Sequence, residues 1–322
     1  MMAQPVNDST SDGGQLYEAA DTDELDPGDF EDAAEEESPK VDGVALRPNT
    51  LIPERGITGF RNRSRAQTVV LVGEQKTGKT TLLAALYGLF CKGPIGDFEF
   101  VSSQTLYSFA ERNHLAMLSP DRAAPATPRT SIAESVSYFH LKVRQGEVVS
   151  EMIISDRSGE TFEAARVDTS LMDRLTELAL ADRICFLLDA SRLTKIETRA
   201  AYRRIFRQTM RALIDNDVIP KTAKIEVLVT KIDRVSREKD GRDLLAEVTE
   251  YEEELIKEFG SKGLAFQIHR ICALPRANVK LGFLGMNELV GRWALTPADS
   301  DISPQPVGDA LRHIDRLPIV WS

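Results

Sequence analysis

The chain has 322 residues, 42% hydrophobic and 28% charged, enough to bury the core of one large domain and ordinary for a globular protein. Its net charge of −10 is uneven: residues 1–42 hold fourteen Asp or Glu against Lys40 alone, so this tail carries −13 and the rest a near-neutral +3, which argues against a nucleic-acid surface. No apolar run approaches the roughly 20 residues of a membrane span, the acidic N-terminus lacks a signal-like apolar segment, and Cys91, Cys185 and Cys272 lack metal-site spacing, which together suggest a cytosolic protein with reduced thiols.

Residues 1–55 are rich in Asp, Glu, Gly, Pro and Ser. Such a composition cannot bury enough apolar surface to offset chain entropy, so a disordered acidic tail is expected, with Leu51 and Ile52 able to pack on the domain edge. The domain is expected over residues 56–295. Thr68–Val72 is a β-branched run that reads as a fully buried strand, and Thr80–Phe90 as a helix. A long connection over residues 92–134 follows, with a helix expected at Gln104–Leu118 and a Pro- and Arg-rich stretch after it. Connections of this length are usually functional. Ser135–Val143 and Glu147–Ser155 alternate around Gln145-Gly146 and predict a hairpin.

Further along, a helix is expected at Phe162–Leu180, a strand at Arg183–Asp189 and a basic helix at Lys195–Asp215. A strand at Ile225–Thr230, a charged helix at Ser236–Phe259, a strand at Ala265–Ile271 and a helix at Met286–Ala294 complete the pattern. Residues 296–322 form a Pro-rich extension ending in apolar Leu317–Trp321. Alternating strands and helices with one hairpin specify an α/β fold, a mostly parallel six-stranded sheet with helices on both faces.

Gly73-Glu74-Gln75-Lys76-Thr77-Gly78-Lys79-Thr80 fits GxxxxGK[ST] and lies between a buried strand and a helix start. The glycines let successive N–H groups curl around a phosphate, and the helix N-terminus adds positive potential. Lys79 can reach β- and γ-phosphates, the Thr80 hydroxyl can ligate Mg²⁺, and Thr81 completes the candidate cradle. At the end of the hairpin, Asp156-Arg157-Ser158-Gly159-Glu160 supplies a DxxG pattern: Asp156 can hold Mg²⁺ through water, and the Gly159 N–H can meet the γ-phosphate. Thr230-Lys231-Ile232-Asp233 matches [NT]KxD, where Asp233 can accept from guanine N1–H and N2–H₂, which adenine cannot offer. Cys272-Ala273-Leu274 sits where a turn gives a backbone N–H to guanine O6.

With these four segments in order, residues 66–275 resemble the translation-factor-related (TRAFAC) class of P-loop GTPases. The strings LVGEQKTGKTTLLAALY and SDRSGETFEAAR are similar to bacterial double-GTPase families encoded in predicted conflict or defence gene clusters. The resemblance implies a Ras-like sheet, a Mg²⁺-dependent GTP/GDP cycle and a protein effector or partner GTPase that senses the switches.

Several positions depart from the small Ras-like pattern or remain open. Glu160 stands where Gln often orients the attacking water, so it is a candidate both for that role and for slow turnover. Gln75 replaces a small residue, and Lys76 beside it is either a built-in cation at the β,γ-bridge or a rim lysine. The switch threonine that covers Mg²⁺ is Thr130, or Thr127. Arg122 and Arg129 are candidate internal arginine fingers. A GTP-hydrolysing switch is therefore weighed against a nucleotide-sensing scaffold with negligible hydrolysis, and against an ATPase or kinase that has no use for Asp233.

Overall fold

A computed structural model describes residues 50–117, 136–235, 242–262, 265–275 and 278–294. The sheet contains the six expected strands, β2 (Gln67–Val72), β4 (Ser137–Gln145), β5 (Val148–Asp156), β6 (Arg183–Asp189), β7 (Lys224–Thr230) and β8 (Phe266–Arg270). Two short strands raise the count to eight: β1 (Ile52–Pro53) and β3 (Glu99–Ser102). Both pair antiparallel with β4, the outer strand of the hairpin. Neither is long enough to carry a periodic signal, which is why sequence pattern alone gave six. β1 also places ordered backbone before residue 56, where Leu51 packs against the core.

The order is β1-β4-β5-β2-β6-β7-β8, with β4–β5 antiparallel and β5, β2, β6, β7 and β8 mutually parallel. Because the parallel strands are covered on both faces, they are apolar almost throughout. Val70, Val72, Ile184, Phe186, Leu188, Val227 and Val229 face one layer. Val69, Leu71, Cys185, Leu187 and Leu228 face the other. The first layer is covered by α4 (Gly159–Val167), α7 (Ile196–Asp215) and α8 (Leu244–Phe259), the second by α2 (Lys79–Phe90), α3 (Leu106–Met117) and α9 (Met286–Ala294). Helical spacing shows in α7, where Tyr202, Phe206, Met210 and Leu213 are buried and Arg199, Arg203, Arg207 and Arg211 stand outward. The outward row pairs with Glu247, Glu254 and Glu258 of α8.

The remaining helices are α1 (Glu54–Arg63), α5 (Thr176–Ala179) and α6 (Ala190–Leu193). The single helix expected over 162–180 is instead α4, a 3₁₀ segment (Thr169–Arg174) and α5. Asp168 ends α4 in an extended conformation, and its carboxylate accepts from Ser170 N at 3.0 Å. The short side chain thus caps a new segment and competes with helix continuation. In the same way α8 starts at Leu244, because Asp243 caps Leu245 N and Ala246 N; residues 236–241 of the expected helix lie outside the described residues. So do most of the acidic tail, the C-terminal extension, and Arg122, Thr127, Arg129 and Thr130. Among the thiols, Cys185 and Cys272 are buried while Cys91 is exposed. No helix among the described residues is long and apolar enough to cross a membrane.

Candidate functional site

The loop from Gly73 to Gly78 joins β2 to α2 at the carboxyl end of the parallel sheet. Its curl needs two left-handed residues, Lys76 (φ 64°) and Gly78 (φ 109°); the second is far outside what side-chain-bearing residues adopt, so glycine is required there. Gly78 is also the N-cap of α2 and gives no side-chain cap. The first N–H groups of that helix therefore point into the loop without a capping side chain, the arrangement that receives an anion. Lys79 Nζ folds back and donates to Gly73 O and, at 3.0 Å, to Glu74 O. Burial pushes this ammonium down to about 8, while Asp156, Glu163 and Glu74 pull it up. An enclosed cation whose hydrogen-bond partners among the described residues are carbonyls, beside helix N–H groups without a side-chain cap, fits the phosphates of a nucleotide.

On one side of the loop, strand register gathers Asp189 and the [NT]KxD residues. Asp189 and Thr230 are direct partners at the ends of β6 and β7. Thr230 Oγ1 donates to Thr77 O at 2.8 Å and Leu188 O at 3.3 Å. Lys231, left-handed at φ 58°, sends Nζ to Lys76 O at 2.5 Å and to Asp189 Oδ2 at 2.6 Å. Asp233 is buried, with Cys272 beside it. Burial first, and the Asp233 charge second, push the Cys272 thiol up to about 11, so it stays neutral. Ala273 and Leu274 continue the turn, half-buried.

On the other side stand the DxxG residues. Asp156 ends β5 and is 4% exposed; Arg112 of α3 donates to its Oδ2 at 3.2 Å. Gly159, the first residue of α4, lies against the loop so closely that a Cβ would sit 2.6 Å from Gln75 N and 2.8 Å from Gly73 O. Gln75 Nε2 donates to Glu160, and Gln75 N to Glu163 Oε1 at 3.4 Å. Arg157 turns away from the loop into a buried pair with Glu177, at 2.8 Å between NH2 and Oε2. The Lys76 side chain is exposed, and its carbonyl accepts from Lys231. Thr80 and Thr81 are half-buried in the first turn of α2.

Family membership follows from the same span. A family model described as Double-GTPase 2 matches residues 67–294, well over half of the chain. The chain belongs to that family. The matched span, a GTP-binding domain, includes β2 through α9. Solved structures similar to this Double-GTPase 2 chain include translation elongation factor SelB from Methanococcus maripaludis in complex with the GTP analogue GppNHp, at 15% identity and TM-score 0.37 over 70% of this chain and 32% of that one. This chain therefore spans about a third of that SelB chain's length. The signal recognition particle receptor SRb-GTP/SRX complex from Chaetomium thermophilum matches at 14% identity and TM-score 0.39, over 70% of this chain and 99% of that one. A GTP-binding protein from the hyperthermophilic archaeon Sulfolobus solfataricus in complex with GDP matches at 16% and 0.38, over 74% and 56%. No curated protein matches the chain.

Two contributors escaped sequence reading. Arg192 of α6 donates to Glu74 Oε2 at 2.7 Å and to Gln75 O at 2.8 Å, and so clamps the cradle from outside. Its place after the Asp189 strand end (DASR) was visible, but its partners lie about 117 residues away in sequence. Arg112 is the other, 44 residues from Asp156.

Proposed function

We propose that this domain is a Mg²⁺-dependent GTP-binding and GTP-hydrolysing switch, read by a protein effector or partner GTPase. The observation that carries the reading is the double tie between cradle and base side: Thr230 to Thr77 O and Lys231 to Lys76 O. These bonds set a buried acidic side chain, Asp233, at a fixed distance from the phosphate loop, which a guanine nucleotide requires and an adenine nucleotide does not.

In this reading Lys79 and the N–H groups of residues 74–81 bind the phosphates. Thr80 and Asp156 would hold the metal, Asp156 through water, and Thr130 is the proposed switch ligand. One or two protein oxygens completed by phosphate and water suit magnesium. When bound, that ion supplies charge neutralisation at the β- and γ-phosphates. Gly159 offers its N–H to the γ-phosphate, and the Glu160 carboxylate, steadied by Gln75, orients water for in-line attack. Asp233 and Lys231 grip the base, with Cys272-Ala273-Leu274 along its edge. The hold of Gln75 on Glu160 also supports a second reading, a nucleotide sensor with negligible turnover, since a carboxylate that cannot leave the amide cannot serve water.

Multiple-turnover phosphate release from GTP with Mg²⁺ separates the two. Release above a Lys79→Ala control, with none from ATP, is the outcome expected of the switch. Tight GTP binding with release at the control level favours the sensor, and equal release from ATP contradicts both.

A further inference from the structure

Asp156 is the acidic group of the metal side, yet its carboxylate is already engaged. α3 is seated by Phe109, whose ring packs 4.5 Å from Phe139 and stacks on Tyr87 at 6.5 Å. Arg112 follows one turn later on the same helix face. Asn113 crosses close over Gly88 of α2, where a Cβ would sit 3.0 Å from Asn113 Oδ1. This crossing brings the Arg112 guanidinium to Asp156 Oδ2 at 3.2 Å, with side-chain exposures of 13% and 4%. Among the described residues Arg112 Nε is buried with no hydrogen-bond partner, and the Asp156 carboxylate is the group the guanidinium pairs with.

We infer that Arg112 is a positioning residue of the metal side, one that rests on the nucleotide reading above: it neutralises Asp156 in the metal-free protein and yields the carboxylate to the water shell of a divalent cation. A guanidinium and a dication cannot share one buried carboxylate without strong repulsion in a poorly screened site. Metal binding and the docking of Arg112 are therefore coupled, and the coupling is reciprocal. Because Arg112 lies on α3, within the connection between α2 and β4, release of its side chain reports metal occupancy to a helix outside the nucleotide cradle. The chemical class recognised is a hard divalent cation at a nucleotide diphosphate, and Arg112 sets how much of it is needed.

The test is binding of a fluorescent GDP analogue to the full chain across a Mg²⁺ titration, for wild type, Arg112→Ala and Arg112→Lys. Arg112→Ala is expected to weaken metal-free binding and to lower the Mg²⁺ midpoint about tenfold, the middle of the usual coupling range, with Arg112→Lys in between. A midpoint within about twofold of wild type, in a variant with unchanged circular dichroism, overturns the inference. Should Arg112→Ala misfold, the wild type still decides it: amide exchange in α3 of the GDP-bound protein is expected to rise when Mg²⁺ replaces a chelator, and unchanged exchange overturns it. Failure of wild type to bind the analogue at any Mg²⁺ concentration would instead contradict the nucleotide reading itself.

Discussion

The two sides of the phosphate loop are built differently. On the proposed base side, Asp189 and Thr230 end two neighbouring buried parallel strands, Lys231 and Asp233 follow, and the ties of Thr230 and Lys231 to the loop run from side chain to main-chain carbonyl. On the proposed metal side, Asp156 and Glu160 meet α3 and the loop through side-chain pairs, Arg112 with Asp156 and Gln75 with Glu160. Thr230, the donor of the first tie, is the last residue of the buried strand β7 and cannot shift without disturbing the sheet. Side-chain pairs can exchange partners when a phosphate or a cation arrives. In the proposed reading, one nucleotide site joins a rigid reader of the base to a rearrangeable reader of the phosphate end, and the division lies at Gln75–Lys76.

The largest effect should come from breaking the rigid side. Lys231→Ala removes two charge-assisted bonds that span loop and strand, and affinity is expected to fall about a hundredfold, equally for GDP and GTP, in calorimetric titrations. A loss confined to GTP would erase the distinction between the sides. On the rearrangeable side, Gly159→Ala pushes a methyl group onto Gln75 N. Steady-state phosphate release is expected to drop about tenfold or more and GDP affinity by a smaller factor, because the methyl group displaces the proposed γ-phosphate contact of Gly159 and also presses on the loop backbone. Arg192→Ala loosens the clamp on Glu74 and Gln75; nucleotide affinity should fall about fivefold, with faster amide exchange in the loop, the cost of one partly exposed charged pair. Smallest of all, Arg207→Ala on the α7–α8 ladder, where Arg207 is 34% and its partner Glu254 39% exposed, should cost about 0.5 kcal/mol of stability in a denaturation series and leave nucleotide binding untouched.

That same division explains what could be read in advance. The cradle, β6, β7 and the α9 boundaries were legible because each is a local pattern: a glycine-lysine spacing, an apolar run, a helical periodicity. Thr230, Lys231 and Asp233 came with the strand they terminate. The broken helix at Asp168 was written in a short polar side chain that caps the next segment, a signal weaker than the surrounding apolar spacing. β1 and β3 exist only because β4 offers them an edge. Arg112 and Arg192 carry no local pattern at all; their roles arise from helix crossings that bring distant residues together.

The most direct test of the guanine reader is calorimetry in Mg²⁺ with GDP, ADP and xanthosine diphosphate, on wild type and Asp233→Asn. Wild type should bind GDP and give no heat with ADP, and Asp233→Asn should lose GDP and gain the xanthosine nucleotide, because the exchanged amide donates where the carboxylate accepted. Equal heats for GDP and ADP in wild type, or an Asp233→Asn variant that binds GDP as tightly as before, would contradict the account.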